Sequence, residues 1–336
     1  MTIKRRKYPL SYNKKHTGHV ISFRMKKLLW TGMLLVTLGA RAQYDVAFTN
    51  SWALQSFYNP AAAGLDGKLN VQGAYSMQMV GFEDAPASML VTADLPVFFL
   101  GPDHGAGVGF VNDKAALFST KKFYLQYAYH HKLFGGRISV GARAALLTEG
   151  FDGTDLDVIQ TGDPVFASSE VKGNAFDLDA GVRYTYKNLW YAGISAMHCL
   201  GPHMTMGDDK LYKVSVDPTF YASGGYRLKF RQPQYALVTD ALVRTDLQSW
   251  RADINARLLY DGAKHKLYGG VMYSPTISVG VMLGFDFHGL NIGYSYEVYT
   301  TGIGALHGTH ELLLGYQTDL DLFKKGKNKH KSVRLL

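Results

Sequence analysis

Residues 276–287 read TISVGVMLGFDF and, after the dipeptide His288-Gly289, residues 290–299 read LNIGYSYEVY. Apolar side chains occupy alternate positions in both stretches, and the positions between them hold mostly small or charged residues. A period of two residues places one set of side chains on each face of a β-strand. The pair therefore predicts two strands that share one apolar face and are joined by a short turn.

The same alternation recurs along the chain, for example from Phe123 to Tyr129, from Phe176 to Tyr186 and from Trp250 to Tyr260. Such segments run for about 9–12 residues, which is the length that crosses a bilayer when a strand is tilted, whereas strands of soluble proteins average about 5–6 residues. Tyr and Phe gather near the segment ends, as in the aromatic girdles of membrane barrels. Soluble sandwiches also alternate, so strand length and girdles favour the membrane fold. We predict an all-β fold, a transmembrane antiparallel β-barrel of about 14 strands with its apolar face toward lipid.

The predicted strands are 68–76, 87–96, 105–112, 121–130, 137–147, 174–186, 189–199, 218–229, 234–244, 249–260, 266–273, 276–287, 290–299 and 309–317. An even number of strands places both chain ends on the periplasmic side. The short links 131–136, 187–188, 261–265 and 288–289 are assigned to that side. The long connections 148–173 and 200–218 are the predicted outward loops.

Composition excludes several other classes of protein. The 336 residues are 47% hydrophobic and 19% charged, which is incompatible with disorder. The single cysteine, Cys199, excludes a disulfide scaffold and a cysteine-based zinc finger. No run of about 20 apolar residues follows the N-terminal region, which argues against a polytopic helical membrane protein.

The formal net charge of +9 comes from the chain ends. Residues 1–42 hold ten basic side chains and residues 324–336 hold six, with no acidic side chain in either segment. The body between them holds 20 basic and 27 acidic residues. Nucleic-acid binding needs a basic face on the folded body, so it is not expected.

The sequence divides into four predicted parts. Residues 1–42 form a secretory signal peptide, because a basic stretch and the apolar run Leu28–Gly39 precede the cleavage pattern Ala40-Arg41-Ala42. Met25 is a candidate true start, and an uncleaved anchor helix is the alternative. Residues 43–66 form a periplasmic or lumenal segment, residues 67–323 the barrel, and residues 324–336 a solvated basic tail that could also touch an acidic partner.

Three stretches resemble the PorP/SprF family of Bacteroidetes outer-membrane proteins. They are FYNPAAAG at 57–64, GFDFHGLNIGYSY at 284–296 and GIGALHGTHE at 302–311. The resemblance covers the whole mature chain. It implies a non-enzymatic role in the type IX secretion system, without cofactors, and in many members a link to gliding motility. It also implies three partners: a secreted surface protein with a C-terminal sorting domain, periplasmic or lipoprotein components of the machine, and outer-membrane lipid.

Two sets of residues are candidates for the functional site. Residues 44–64 are rich in aromatic side chains that need cover, so they are predicted to enter the lumen or to dock on a periplasmic partner. The candidate partner-binding residues are Phe48, Trp52, Phe57 and Tyr58. Charges of both signs alternate with the apolar positions and are predicted to face the lumen, where they fit a cross-strand ion-pair network or a lumen that accepts a peptide. These are Asp177, Asp179, Arg183, Asp240, Arg244, Arg251, Asp253, Arg257, Asp286 and Glu297.

Four other groups are weaker candidates. His307, His310 and Glu311 lack the helical spacing of a zinc protease, so we interpret them as a loop closing into the last strand. His130-His131 is interpreted as a solvated or interfacial pair, and His198-Cys199 lacks the third group of a thiol nucleophile. The acidic residues of the longest loop lack the EF-hand pattern for calcium. They are Asp152, Asp155, Asp157, Asp163 and Glu170.

The favoured function is a barrel that assists secretion and surface attachment of partner proteins by binding them. A passive diffusion channel or small-molecule transporter is the first alternative, and an outer-membrane lipid-modifying enzyme is the second. The enzyme would need a Ser/His pair near the outer leaflet, and no arrangement in the sequence requires one.

Overall fold

The computed structural model describes residues 45–97, 100, 103–153, 170–206, 212–262, 265–301 and 307–320. The predicted signal peptide 1–42 and the basic tail 324–336 lie outside these residues. Asp155, Asp157 and Asp163 of the longest loop do so too.

Fourteen antiparallel strands form a closed barrel, which confirms the predicted fold. A short helix α1 (Gln55–Tyr58) and a 3-10 turn (Pro60–Ala62) precede them. The strands are β1 Leu69–Met77, β2 Ala87–Pro96, β3 His104–Ala115, β4 Phe118–Leu133, β5 Gly136–Asp152, β6 Glu170–Tyr186, β7 Trp190–Met197, β8 His203–Met206, β9 Tyr212–Ser215, β10 Thr219–Lys229, β11 Tyr235–Thr245, β12 Trp250–Asp261, β13 His265–Ser274, β14 Ser278–Phe287, β15 Leu290–Tyr299 and β16 Thr309–Thr318. Each barrel strand pairs with its neighbour in sequence, β1 pairs with β16, and β7 pairs with β10 because β8 and β9 form a separate hairpin.

The outside of the barrel is apolar and the inside is polar. In β14, Val281 and Leu283 expose 56% and 60% of their surface, while the alternate residue Met282 is buried. Among the most buried side chains of the wall are Arg143 and Asp179, each 1% exposed. This is the reverse of a soluble protein, and it is what a wall needs when lipid is its solvent.

The longest connections lie at one end of the barrel. We call the end where β1 begins and β16 ends the terminal end, and the opposite end the distal end. The links after β4, β6, β12 and β14 lie at the terminal end and are short, as predicted. The connections after β5 and β7 both lie at the distal end, and their outward direction stays a prediction.

The bounds of one predicted connection were wrong, and a second connection contains strands that were not predicted. Strands β5 and β6 continue to Asp152 and from Glu170, so the longest connection is shorter than the predicted 148–173. The connection 200–218 contains the hairpin of β8 and β9, with His203 paired to Ser215. No helix within the described ranges is long and apolar enough to cross a membrane.

Candidate functional site

The N-terminal segment of the chain runs through the lumen of the barrel. We call residues 45–66 the plug. At its distal end, Asp45 Oδ1 lies 2.8 Å from His198 Nε2. At its terminal end, the carbonyl oxygen of Leu65 accepts a hydrogen bond from Arg137 Nη1 at 3.1 Å. The plug therefore extends along most of the lumen before the chain turns into β1.

An aromatic cluster fixes the middle of the plug. Phe48, Phe57 and Tyr58 are 2%, 2% and 3% exposed. The ring of Phe57 lies 6.5 Å from that of Tyr124, and the ring of Tyr58 lies 5.7 Å from that of Tyr221. Burial of aromatic rings of this size supplies much of the free energy that keeps the segment inside.

Trp52 contacts a different part of the wall. Its ring packs edge-on against Tyr268 at 5.1 Å, and the guanidinium of Arg257 lies 3.6 Å above it. All four predicted partner-binding residues, Phe48, Trp52, Phe57 and Tyr58, thus contact the wall or other plug residues. Binding of a partner through them stays a prediction, and it would require the plug to move.

The Asn-Pro-Ala turn of the plug is shaped to fit two strands of the wall. The Asn59 carboxamide oxygen accepts a hydrogen bond from the Ala61 N–H at 2.9 Å. Its Nδ2 donates to the carbonyl oxygens of Val182 and Ile194, at 3.1 and 3.2 Å. A Cβ atom at Gly181 would overlap the Asn59 side chain, so the wall needs glycine there. The motif therefore has a structural reason: it attaches the plug to β6 and β7.

The next residues of the motif attach the plug to β2 and β4. Gly64 has φ of +67°, which favours glycine, and its N–H donates to Asp94 Oδ1 at 2.8 Å. His130 Nε2 donates to the carbonyl oxygen of Ala63 at 3.0 Å. His130 is 1% exposed. The interpretation of His130-His131 as a solvated pair is therefore wrong for His130, because the inward strand position places its ring against the plug; His131 is exposed.

Arg143 holds the helix of the plug. Its Nη2 donates to the carbonyl oxygens of Ser56 and Phe57, at 2.6 and 2.7 Å. Its Nη1 lies 3.1 Å from Asp179 Oδ2, and its guanidinium lies 4.1 Å from the centre of the Tyr124 ring. Because this buried arginine is paired and hydrogen-bonded, it fixes the positions of the plug carbonyl groups that it binds.

Glu311 binds the N-terminal part of the plug. Its carboxylate accepts hydrogen bonds from the backbone N–H groups of Thr49 and Asn50, at 2.6 and 2.9 Å, and from Asn50 Nδ2 at 2.8 Å. Glu297 on the adjacent strand accepts a bond from the Thr49 hydroxyl at 2.9 Å. Two carboxylates of β15 and β16 thus satisfy the donors of one plug turn.

His198 links the first described residue of the plug to the wall. Its Nδ1 lies 2.6 Å from Asp177 Oδ2 and its Nε2 lies 2.8 Å from Asp45, so a carboxylate faces each ring nitrogen and both nitrogens donate. Burial opposes the charge on His198, but the negative charge of Asp45 and the hydrogen bonds to Asp177 and Asp45 outweigh burial and raise the pKa of His198 to about 9. Burial likewise opposes the charge on Asp45, and the imidazolium lowers the pKa of Asp45 well below its usual value.

The same cluster holds side chains of the types that bind metals. Ligand atoms of Asp177, Asp179 and His198 lie within 4.8 Å of one another. Both nitrogens of His198 already donate to carboxylates, and Asp179 is paired with Lys122 Nζ at 3.0 Å and with Arg143. A metal would have to displace these cations, so the donor set fits an ion-pair network better than a metal.

The predicted lumenal charges lie on the inner wall. Ion pairs join Arg244 to Asp253 at 3.1 Å, Arg251 to Asp253 at 2.7 Å, Arg251 to Glu297 at 2.9 Å and Arg257 to Asp240 at 2.6 Å. Asp177 and Asp179 belong to the cluster around His198, and Asp286 and Arg183 line a cavity.

This cavity, which we call the vestibule, has a volume of about 1110 Å³. Its lining includes the turns at 134–136 and 187–189 and the end of β16 at Gln317, so it opens at the terminal end. Trp52 and Ser56 of the plug lie at its inner side. The lumen is thus occupied by the plug and retains a polar chamber toward one mouth.

The other candidate groups do not converge on a site. His307 Nδ1 lies 3.0 Å from the carbonyl oxygen of Val80, His310 is paired with Tyr294 on the outer face, and Glu311 points inward. Cys199 Sγ lies 3.5 Å from the carbonyl oxygen of Ala196. Within the described ranges, neither group forms a catalytic arrangement.

Sequence similarity adds a family to this geometry. A family model described as "Type IX secretion system membrane protein PorP/SprF" matches residues 40–316. The chain belongs to the PorP/SprF family. The match includes the plug, all barrel strands up to Tyr316 and all three stretches that carry the sequence resemblance. Among curated proteins, none shows significant sequence similarity to the chain.

Solved structures resemble this PorP/SprF protein only in general architecture. The toluene transporter TbuX of Ralstonia pickettii has a TM-score of 0.45 and 12% identity, with 78% of this chain and 92% of the transporter covered. A FadL homologue of Pseudomonas aeruginosa has a TM-score of 0.43 and 11% identity, with 79% and 93% covered.

Membership identifies the chain as a type IX secretion membrane protein and, with its barrel fold, supports an outer-membrane location. Sequence reasoning missed the residues that hold the plug, among them His130, Arg143 and Glu311. One signal was available for all three, since each occupies an inward position of a predicted strand.

Proposed function

We propose that this PorP/SprF protein binds a secreted surface protein at the outer membrane and holds it there, without catalysing a reaction. The family match supports a part in type IX secretion, and the resemblance supplies the partner class, a cargo with a C-terminal sorting domain. Export by a cleaved signal peptide, contacts with periplasmic or lipoprotein components of the machine and a link to gliding motility belong to the same proposal.

The occupied lumen is the observation that carries this proposal. The plug is attached to the wall at several separate places, including Arg143, Asn59, Glu311 and His198. A diffusion channel needs a continuous aqueous path, and the described residues of the lumen are packed around the plug instead. Binding therefore accounts for this interior better than passive transport does.

Affinity purification of the tagged protein from native outer membranes tests the proposal. A surface protein should co-purify, and its secretion or surface attachment should fall in a strain lacking the barrel; a motility assay on that strain tests the link to gliding. Liposomes containing the purified full-length protein should show no solute-dependent swelling.

A deletion variant distinguishes a plugged barrel from a channel. Deletion of residues 44–58 should open the lumen and permit swelling, while secretion of the partner should fall at equal protein level. Swelling by the intact protein, together with no co-purifying partner, would refute the proposal in favour of a channel.

A further inference from the structure

Arg183 differs from the other deeply buried arginines of the wall. Among the described residues, four arginines are at least nine-tenths buried: Arg143, Arg183, Arg244 and Arg257. Three of them form ion pairs with aspartates of the wall. Arg183, at 5% exposed, has no carboxylate of the described chain within ion-pair distance.

The contacts of Arg183 orient it without neutralising it. Its Nε donates to Thr185 Oγ1 at 3.2 Å, and its guanidinium stacks 3.7 Å from the centre of the Tyr191 ring. The Tyr191 hydroxyl is in turn bonded to Asp240 at 3.2 Å, and Asp240 is already paired with Arg257. A buried cation without an anion is costly, so this arrangement leaves a binding capacity unused.

Arg183 lines the vestibule, and further cations lie between it and the mouth. Lys187 follows Arg183 by four residues, which corresponds to about 13 Å along the chain at the usual rise of a strand. Arg227 lies on β10, two strands from β6, at the level of the turn that holds Lys187, because its N–H donates to the carbonyl oxygen of Leu189. Lys132 and Arg137 border the same chamber from β4 and β5.

Most charges of the vestibule are separated into two parts of the wall. The basic residues lie between β4 and β12, together with Asp240 of β11, which is paired with Arg257. Asp94 and Asp286 lie on β2 and β14, and Asp66 lies just before β1. A ladder of cations from the floor to the rim matches several carboxylates in a row better than it matches one small anion. The closed wall separates the ladder from lipid headgroups.

We propose that the vestibule binds an extended acidic peptide segment of a partner protein, which enters from the terminal end and places one carboxylate on Arg183. The chamber is too small for a folded domain, since about 1110 Å³ holds only a few residues of extended chain. The site is independent of which protein is secreted, and it assigns a function to a cation that the plug does not use.

Fluorescence anisotropy with the purified full-length barrel in detergent tests this site. The probe is a labelled ten-residue peptide of alternating Asp and Ser, and the matched probe carries Asn in place of Asp. The acidic peptide should bind, its affinity should fall with added salt, and the Asn peptide should not bind. Arg183→Gln should weaken binding about tenfold, the effect expected for one charge-assisted hydrogen bond.

Two further variants make the result specific. Arg231→Gln removes a cation from an exposed turn at the same end but outside the vestibule, and it should leave the affinity within twofold. Arg227→Gln changes a half-buried rim residue, so it tests the site even if Arg183→Gln fails to fold. The proposal is overturned if the acidic peptide does not bind the folded protein, if Arg231→Gln weakens binding as much as the vestibule variants, or if inorganic phosphate binds as tightly as the peptide.

Discussion

Replacing Glu311 with glutamine should loosen the N-terminal part of the plug while leaving the barrel intact. One carboxylate oxygen accepts both donors of Asn50, and the other accepts the Thr49 N–H. Glutamine keeps one acceptor but turns an NH₂ group toward the Thr49 N–H. One charge-assisted hydrogen bond is lost and a buried donor is left unpaired, which costs about 2 kcal/mol.

Hydrogen–deuterium exchange of the peptide containing Thr49 and Asn50 measures this cost directly. Where exchange follows the opening equilibrium, about 2 kcal/mol corresponds to roughly 30-fold faster exchange of these two amides. Exchange in the barrel strands should not change.

Glu149→Gln is the matched control for the Glu311 variant. Glu149 also faces inward, but it is bonded to Thr120 at 2.7 Å and not to the plug. It should leave exchange of the plug as in the wild type. If Glu311→Gln leaves the Thr49 and Asn50 amides within threefold of wild type in a folded barrel, the docking described for the plug is wrong.

Three other substitutions and conditions test the remaining contacts. Arg143→Met removes the clamp on the plug helix and breaks a buried ion pair, so the thermal unfolding temperature in detergent should fall, with a loss of about 3 kcal/mol; an unchanged unfolding temperature would contradict the clamp. Gly181→Ala should displace the plug turn and speed its hydrogen exchange, whereas Gly269→Ala, where a Cβ has only an ordinary contact at 4.0 Å, should not. The pKa of His198 is raised above its unfolded value, so its pairing with Asp45 should be complete below about pH 6.5 and lost as the pH rises through about 9. An NMR titration of the imidazole that gave an ordinary value would refute this.

The strands were predictable because their signal is local. Alternation over ten residues places β14 and β15 within two residues of their observed bounds, and the exposed apolar face follows from the same pattern. The hairpin of β8 and β9 was missed because strands of four residues are too short to show a period. The mixed lumenal charges were visible for the same local reason, as alternate positions of long strands.

The contacts of the plug were not predictable from one sequence. Aromatic density in residues 44–64 indicated a need for cover, but periodicity does not tell which wall residues supply it. Thr49 and Glu311 are 262 positions apart, and Ala63 and His130 are 67 positions apart. Such pairs depend on how the barrel closes, and nothing in the local pattern distinguishes Glu311 from an ordinary inward charge. His130 was wrongly assigned to solvent for the same reason, because the sequence pattern does not show that the plug lies beside it.

Strand β16, which closes the barrel, also binds the plug. β16 joins β1 along a register from Leu69 with Thr318 to Met77 with His310. Within this register, Glu311 lies opposite Ser76 and carries the carboxylate that holds Thr49 and Asn50. During biogenesis, β16 is synthesised after the other barrel strands, and it must pair with β1 before the plug can dock on Glu311. We expect the plug to be the final part of the molecule to become ordered, so that its protection from exchange reports completed assembly of the whole wall.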